Sequence, residues 1–189
     1  MVGLLGFALA TGLLYGRFSR PRARLVFSSN AIVAPYQGIN GWMFRFASKS
    51  HSQLLDAEVN IILTMVVKEN GVDTRKFFPL ELERNKITML SMSWTVVHPI
   101  DEKSPMNGLT QSDLEKASAE FLIFFKAFDD TFADTVHARA SYRYDEVVFG
   151  AKFISVIGTG SDGAPEFNVA GINDFEKMDL NIEAEKLTA

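Results

Sequence analysis

A glycine-rich segment near residue 160 is the strongest local match to a nucleotide-binding motif. Gly158, Gly160 and Gly163 fit the G-x-G-x-x-G pattern and follow an apparent strand. The motif needs a helix immediately afterwards, but residues 164–166 (Ala-Pro-Glu) do not open one, and no strand–helix–strand alternation surrounds them. The segment therefore favours a glycine-rich hairpin over a dinucleotide loop.

The histidines and cysteines give no support to metal or thiol chemistry. His51, His98 and His137 lie far apart in the sequence, whereas zinc sites usually contain closely spaced ligand pairs. The sequence contains no cysteine, which excludes disulfides, thiolate zinc sites and cysteine nucleophiles. The residues therefore predict a protein that is not an enzyme and that holds no metal and no cofactor.

Four arginines close the apolar start of the chain. Residues 1–16 carry no charge and would form a helix of about 24 Å, shorter than the ~30 Å hydrocarbon core of a membrane. Arg17, Arg20, Arg22 and Arg24 follow, as the positive-inside rule expects at the cytoplasmic end of a membrane helix. A signal peptide carries its charges before the apolar run instead. We therefore predict that these arginines contact phospholipid head groups and not nucleic acid.

Acidic residues are confined to the remainder of the chain. None precedes Asp56, so the first 55 residues carry +6, and the rest, with 13 basic against 23 acidic residues, carries -10. This polarity suggests that one end meets an anionic surface and the other meets cytosol or cations. Asp129, Asp130 and Asp134 cluster beside two phenylalanines. That cluster fits either a solvated turn or a loop that faces cations.

Short strands dominate the elements that must position these residues. From Asp56 to Lys68 the apolar residues alternate with polar ones, which predicts a half-buried strand, and Asn70-Gly71 predicts a turn after it. Two helices are expected, over residues 111–117 with Thr110 as cap and over residues 174–187. The other expected strands cover residues 25–28, 31–36, 42–47, 87–100, 120–128, 134–142 and 146–157. This pattern favours an all-β sandwich.

Three stretches carry a family resemblance through their order and spacing. Residues 12–33 read GLLYGRFSRPRARLVFSSNAIV, residues 93–105 read SWTVVHPIDEKSP, and residues 137–153 read HARASYRYDEVVFGAKF. The first resembles the end of the inner helix, the basic-Pro-basic linker and the first strand of inward-rectifier potassium channels. The second and third resemble the family's H-x-I-D-x-x-S-P strand and the segment after its cytoplasmic constriction. The likeness is closest to the prokaryotic, KirBac-type branch.

The resemblance implies a mainly β fold: an immunoglobulin-like β-sandwich in the cytoplasm, preceded by the C-terminal part of a transmembrane helix. Residues 1–18 would be the end of the pore-lining inner helix, 19–24 the basic linker and 25–189 the sandwich. It further implies a homotetramer in the plasma membrane that conducts potassium and binds anionic phospholipids such as phosphoinositides.

The resemblance also implies roles for single residues. Phe7, Thr11 and Tyr15, which recur every four residues along one helical stripe, fall on the pore gate. The four arginines of the linker fall on lipid-binding positions. The cytoplasmic pore would be lined by Asp56, Ala133, Asp134 and Thr135. Four copies of Asp56 would there concentrate cations such as magnesium or polyamines.

The sequence departs from the family in one large respect. The T-V-G-Y-G filter, the pore helix and the outer helix are absent from these 189 residues. Since selectivity needs rings of filter carbonyls, we expect either a fragment of a channel or a chain with a misplaced start codon. The main alternative is a β-sandwich binding module that is anchored to the membrane but is not a channel. A weaker alternative is a nucleotide-binding enzyme that uses the glycine-rich segment.

Overall fold

The computed structural model describes residues 3, 6, 7, 9–12, 23–49, 53–159 and 165–181. The described residues between Gly3 and Gly12 are helical. Among the described residues, no helix has the length and apolar character needed to span a bilayer. The rest of the described chain forms two sheets of five strands each, two short strand pairs and one α-helix.

The first sheet is built around β3 (Ile39–Ser48). One side of β3 pairs with β7 (Ser93–Ile100), and its other side pairs with β2 (Ala31–Tyr36) and then β1 (Leu25–Phe27). The short strand β10 (Val147–Phe149) extends the sheet by pairing in parallel with β2. The first four residues of β2 are buried, so this sheet is covered on both faces there.

The second sheet is built around β4 (Leu54–Glu69) and β8 (Glu120–Asp129), which pair antiparallel. The outer edge of β4 pairs with β5 (Val72–Pro79) along one half and with β6 (Lys86–Leu90) along the other. The strand β9 (Asp134–Arg143) forms the opposite edge. Asn70 and Gly71 join β4 to β5 with φ angles of 52° and 83°, as the two-residue turn expected from the sequence requires.

The sheets pack face to face through an aromatic core. Trp42 on β3 stacks on Phe121 of β8 with ring centroids 4.4 Å apart, and Phe46 meets Phe125 edge-on at 5.3 Å. Leu114 is the buried residue of helix α1 (Gln111–Lys116), which begins with the expected Thr110 cap in a reciprocal bond with Asp113. The mainly β sandwich predicted from the sequence is confirmed, and the predicted inward alternation along β4 is confirmed by burial of Ala57, Val59, Ile61 and Leu63.

The remaining elements are short. A 3-10 turn (Tyr144–Glu146) precedes β10, and a second (Val169–Asn173) precedes the last strand. The pair β11 (Ala151–Phe153) and β14 (Phe175–Lys177) is antiparallel. So is the pair β12 (Ile157–Thr159) and β13 (Pro165–Phe167), which flanks the glycine-rich segment and agrees with the predicted hairpin.

Several sequence-based boundaries are wrong. The expected strand over residues 87–100 is two strands, β6 and β7, which belong to different sheets. The expected strand over residues 146–157 is broken at Gly150, whose φ of 70° interrupts an extended backbone. The helix expected over residues 174–187 is wrong in its described part, because Phe175–Lys177 pairs as a strand with β11. Residues 182–187 of that expected helix lie outside the described residues. The strand β5 was not predicted.

Candidate functional site

Asp56 lies on a β-bulge near the start of β4. The pairing with β8 shifts register between Leu55 and Glu58, and Asp56 has a φ of 48°. A bulge adds one residue to a strand and locally disrupts the ladder. Asp56 and Glu58, which are two residues apart, share the face that points away from the core, and Ala57 between them is fully buried.

Each of these carboxylates has a lysine partner from a neighbouring strand. Lys86 Nζ on β6 lies 3.0 Å from Asp56 Oδ1, and Lys126 Nζ on β8 lies 2.9 Å from Glu58 Oε2. Asn60 Nδ2 donates to the other oxygen of Glu58 at 3.0 Å. The bonds from Lys126 and Asn60 lower the pKa of Glu58, so this carboxyl is ionised at neutral pH.

The tip of the β8–β9 hairpin is held by its own carboxylates. Asp129, which is buried, accepts from the backbone N–H groups of Thr131 and Phe132 at 3.0 and 3.3 Å. Ala133 has a φ of 49°, and the N–H of Thr135 bonds to the Asp134 side chain at 2.7 Å. The acidic cluster is thus a folded turn with exposed Asp134 and Thr135, which is compatible with both interpretations of the sequence.

The hairpin tip lies at the end of the sandwich where the basic linker enters. The backbone of Asp130 donates to the Gln53 carbonyl at 3.2 Å, and the N–H of Gln53 returns a bond to the Asp130 carboxylate at 2.9 Å. Lys49 precedes Gln53 by four residues and therefore lies at most about 14 Å from it. The N–H of Lys49 donates to the Arg24 carbonyl at 2.8 Å. Arg24, Lys49 and the tip therefore share one end of the domain, with both basic side chains exposed.

The predicted gate is only partly within the described residues. Phe7 and Thr11 lie one helical turn apart, and the Thr11 hydroxyl donates to the Phe7 carbonyl at 2.8 Å. The Phe7 side chain is 76% exposed in the single chain. The predicted gate residue Tyr15 and the predicted lipid ligands Arg17, Arg20 and Arg22 lie outside the described residues.

Two buried polar groups were not predicted from the sequence. Arg45, on β3, donates to the carbonyls of Ile172 at 2.6 Å and Asp174 at 2.9 Å, and also to those of Ile154 and Gly171. His98, on β7, bridges the Glu81 carbonyl and the Ser104 hydroxyl. His98 and Ser104 are the H and the S of the H-x-I-D-x-x-S-P motif. Their spacing of six residues was the sequence signal from which this bond could have been predicted.

No metal site accompanies these groups within the part of the chain that the structure describes. In residues 3–12, 23–49, 53–159 and 165–181, so far as they are described, no three His, Asp or Glu side chains lie close enough to hold an ion. The two described histidines do not converge, since His98 is buried and His137 is exposed on β9. His51 lies outside the described residues.

Comparison with known proteins identifies the family. The family model for the inward rectifier potassium channel C-terminal domain matches residues 25–187. The chain belongs to this family. The resemblance seen in the three sequence stretches is thereby confirmed, and because the relatives are ion channels, so is the prediction that the chain is not an enzyme.

The inward rectifier relatives come from bacteria and from animals. The chain is 38% identical to inward rectifier potassium channel Kirbac3.1 of Paramagnetospirillum magnetotacticum over 164 residues, which is 86% of this chain and 56% of that one. It is 28% identical to ATP-sensitive inward rectifier potassium channel 12 of Mus musculus over 83% of this chain and 39% of that one. The chain thus spans about half, or less, of the length of these inward rectifiers.

Proposed function

We propose that this chain is the cytoplasmic regulatory part of an inward-rectifier-type potassium channel subunit, in which four copies surround the intracellular ion path at the plasma membrane. The family match over residues 25–187 carries the proposal. The permeant ion is potassium, and the path is lined by Asp56 and by Ala133, Asp134 and Thr135 of the hairpin tip.

The arrangement of one end of the domain supports the position of this path. The basic linker residue Arg24 and the hairpin tip lie at the same end of the sandwich, because Arg24 bonds to Lys49 and the tip bonds to Gln53. If the arginines meet anionic head groups, the tip lies just beneath the membrane, where a constriction around a fourfold axis would act on every permeating ion. Phe7 and Thr11 then face the same axis from the helix above.

Ion flux tests the channel assignment. We expect liposomes that contain the complete gene product to take up rubidium, and we expect Tyr15→Ala to raise the basal uptake because it removes an apolar ring that dewets the pore. Lys116→Ala, on the exposed side of helix α1 and outside the residues assigned to the path, serves as the matched control and should leave uptake unchanged. Uptake no greater than in protein-free liposomes would show that the chain is a membrane-anchored module and not part of a channel.

Lipid binding tests the role of the linker. Guanidinium groups pair bidentately with phosphate, and each basic residue near an anionic surface contributes about 1 kcal/mol. Replacing Arg20 and Arg22 by Gln should therefore weaken binding to phosphoinositide liposomes by roughly 10- to 30-fold at low salt. The double control Arg75→Gln with Arg139→Gln removes the same charge from β5 and β9. Equal loss in both double variants would refute a specific lipid contact at the linker.

A further inference from the structure

An uncharged cleft opens at the end of the sandwich that lies away from the basic linker. It has a volume of about 470 Å³ and lies between the β2–β3 turn, the loop that follows β7 and the last described residues of the chain. We call it the end cleft. Strand β3 begins at this cleft with Ile39 and ends at Ser48, next to Lys49. At about 3.3 Å per residue, its ten residues place the end cleft roughly 30 Å from the linker and the hairpin tip.

The floor of the end cleft is an opening in the main hydrophobic core. Val33 and Met106 line the cleft and are buried, and Leu109 and Phe149 line it and are half-buried against the same core. Phe149 lies beside Val33 in the β10–β2 register. An apolar group that enters the cleft is therefore removed from water against aliphatic and aromatic side chains, which favours its binding.

Amide side chains line the rim of the end cleft. Asn40, Asn107, Gln111 and Asn181 are among the fourteen described residues that line it, and none of the fourteen is an acid, a base or a histidine. Such a rim supplies N–H donors and carbonyl acceptors but no counter-ion. An ionised ligand would lose its water here without gaining an opposite charge, whereas a neutral ligand would not bear that cost.

A pair of asparagines holds one wall of the end cleft in place. Asn40 Nδ2 donates to the Asn181 carbonyl at 2.8 Å, and the Asn181 N–H returns a bond to Asn40 Oδ1 at 2.9 Å. The Asn181 side chain also donates to the Ile39 carbonyl. Leu180 beside it packs against the main core. Two distant parts of the chain are thereby fixed to each other, so the cleft is formed before any ligand arrives.

We propose that the end cleft binds an uncharged small molecule that combines an apolar ring with an amide or a similar hydrogen-bonding edge. The ring lies on the floor beside Val33 and Phe149, and the polar edge bonds to the amides of the rim. The cleft contains none of the residues assigned to the ion path or to lipid binding. This inference therefore does not rest on the proposed function.

Three molecules of similar shape and different charge test the inference. They are 4-phenylbutanamide, which is neutral, 4-phenylbutanoate, which is an anion, and 4-phenylbutylamine, which is a cation at neutral pH. Binding to the 189-residue chain is followed by the NMR shifts of the Gly38 and Gly108 amides, since both glycines line the cleft. We expect the neutral amide to bind at least about tenfold more tightly than either charged molecule.

A matched pair of variants tests the location of binding. Asn107→Phe places a ring at the rim of the cleft and should weaken binding of 4-phenylbutanamide at least about tenfold. Asn85→Phe is the control, because Asn85 is also an exposed loop residue but does not line the cleft. It should leave the affinity within a factor of two of wild type. The NMR spectra of both variants show directly whether they are folded.

Four results would overturn the inference. The first is no saturable shift of Gly38 and Gly108 up to the solubility limit of the neutral amide. The second is binding of a charged molecule as tight as that of the neutral one. The third is an equal loss of affinity in Asn107→Phe and Asn85→Phe. The fourth is a gain of tenfold or more in a chain shortened after Asn181, which would show that residues 182–189 are the occupant of the cleft.

Discussion

His98 shows how one buried side chain links two loops of the domain. Its Nδ1 lies 2.5 Å from the Glu81 carbonyl, which can only accept, so Nδ1 carries the proton. Its Nε2 then accepts from the Ser104 hydroxyl at 2.7 Å, and Ser104 Oγ accepts from the N–H of Met106 at 3.0 Å. Every polar atom of this chain of bonds is satisfied only while the imidazole is neutral.

This arrangement predicts a pH dependence of folding stability. Burial lowers the pKa of His98 from its usual value, although the Glu81 carbonyl and the nearby Asp101 oppose the shift. The unfolded chain binds a proton at this residue near pH 6.5, whereas the folded chain resists it to a lower pH. The contribution of His98 to the free energy of unfolding is therefore fully present above about pH 6.5. It falls as the pH drops below that value, by at most about 1.4 kcal/mol per pH unit.

The measurement is urea unfolding between pH 5 and 8, together with an NMR titration of the histidine ring signals. We expect His98 to titrate below pH 6.5 and His98→Gln to flatten the decline in stability on the acid side. His137→Gln, an exposed histidine on β9, should leave the decline in place. A His98 signal that titrates above pH 6.5 in the folded chain would contradict the neutral, fully bonded ring.

At the scale of elements, Arg45 joins the last strands of the domain to the first sheet. Its guanidinium lies 4.4 Å from the Phe153 ring and donates to carbonyls within and directly after the 3-10 turn Val169–Asn173. Burial lowers the pKa of this guanidinium, and Asp174 opposes the shift. An arginine remains charged even so. One side chain thus bonds to four carbonyls, of which those of Gly171 and Asp174 also accept a backbone N–H.

Removing this guanidinium should destabilise strands β11 and β14 more than the two large sheets. We expect Arg45→Met to lower the free energy of unfolding by about 3 kcal/mol, since it removes four hydrogen bonds from a buried guanidinium and takes the donor from the Ile172 carbonyl. Amide exchange in β11 and β14 should quicken most. The control Arg84→Met, which removes an exposed arginine, should cost no more than about 0.5 kcal/mol. Equal costs for the two variants, or unchanged exchange in β14, would contradict the anchoring role of Arg45.

The elements that the sequence predicted well are those whose signal is local. The strand β4 has a strict alternation, the Asn70-Gly71 turn needs two positive φ angles, and helix α1 begins with a reciprocal cap between Thr110 and Asp113. Each signal lies within a few residues of the structure that it specifies, so tertiary contacts had little to override.

The elements that the sequence missed depend on distant partners. The strand β5 is an edge strand that contains Asp73, Arg75 and Lys76. Such charges keep an edge strand from pairing with other chains, but they also interrupt the apolar alternation by which a strand is predicted. The segment Phe175–Lys177 has helical composition, but its pairing with β11 decides its conformation. The ion pairs of Asp56 with Lys86 and of Glu58 with Lys126 could not be predicted, because each lysine comes from another strand, 30 and 68 residues from its carboxylate.

At the scale of the whole molecule, the outer face of the second sheet carries an apolar surface. Phe77 on β5 is 62% exposed and lies opposite Thr64 of β4. Ile62, Leu122 and Phe124 lie on the same face of the neighbouring strands and are half-buried. An exposed aromatic ring beside aliphatic neighbours is typical of a surface that is covered in an assembly.

This surface predicts where the proposed tetramer is held together. Phe77→Glu places a charge on the apolar face, where desolvation would oppose burial against a second copy, so we expect the assembly to dissociate towards the single-chain mass of 21.0 kDa. Val72→Glu is the control, because Val72 is equally exposed, at 65%, but lies at the hairpin end of the same strand. Light scattering on both variants, in the detergent used for wild type, gives the masses. If Phe77→Glu keeps the wild-type mass while the wild type is tetrameric, the four copies meet through another face of the sandwich.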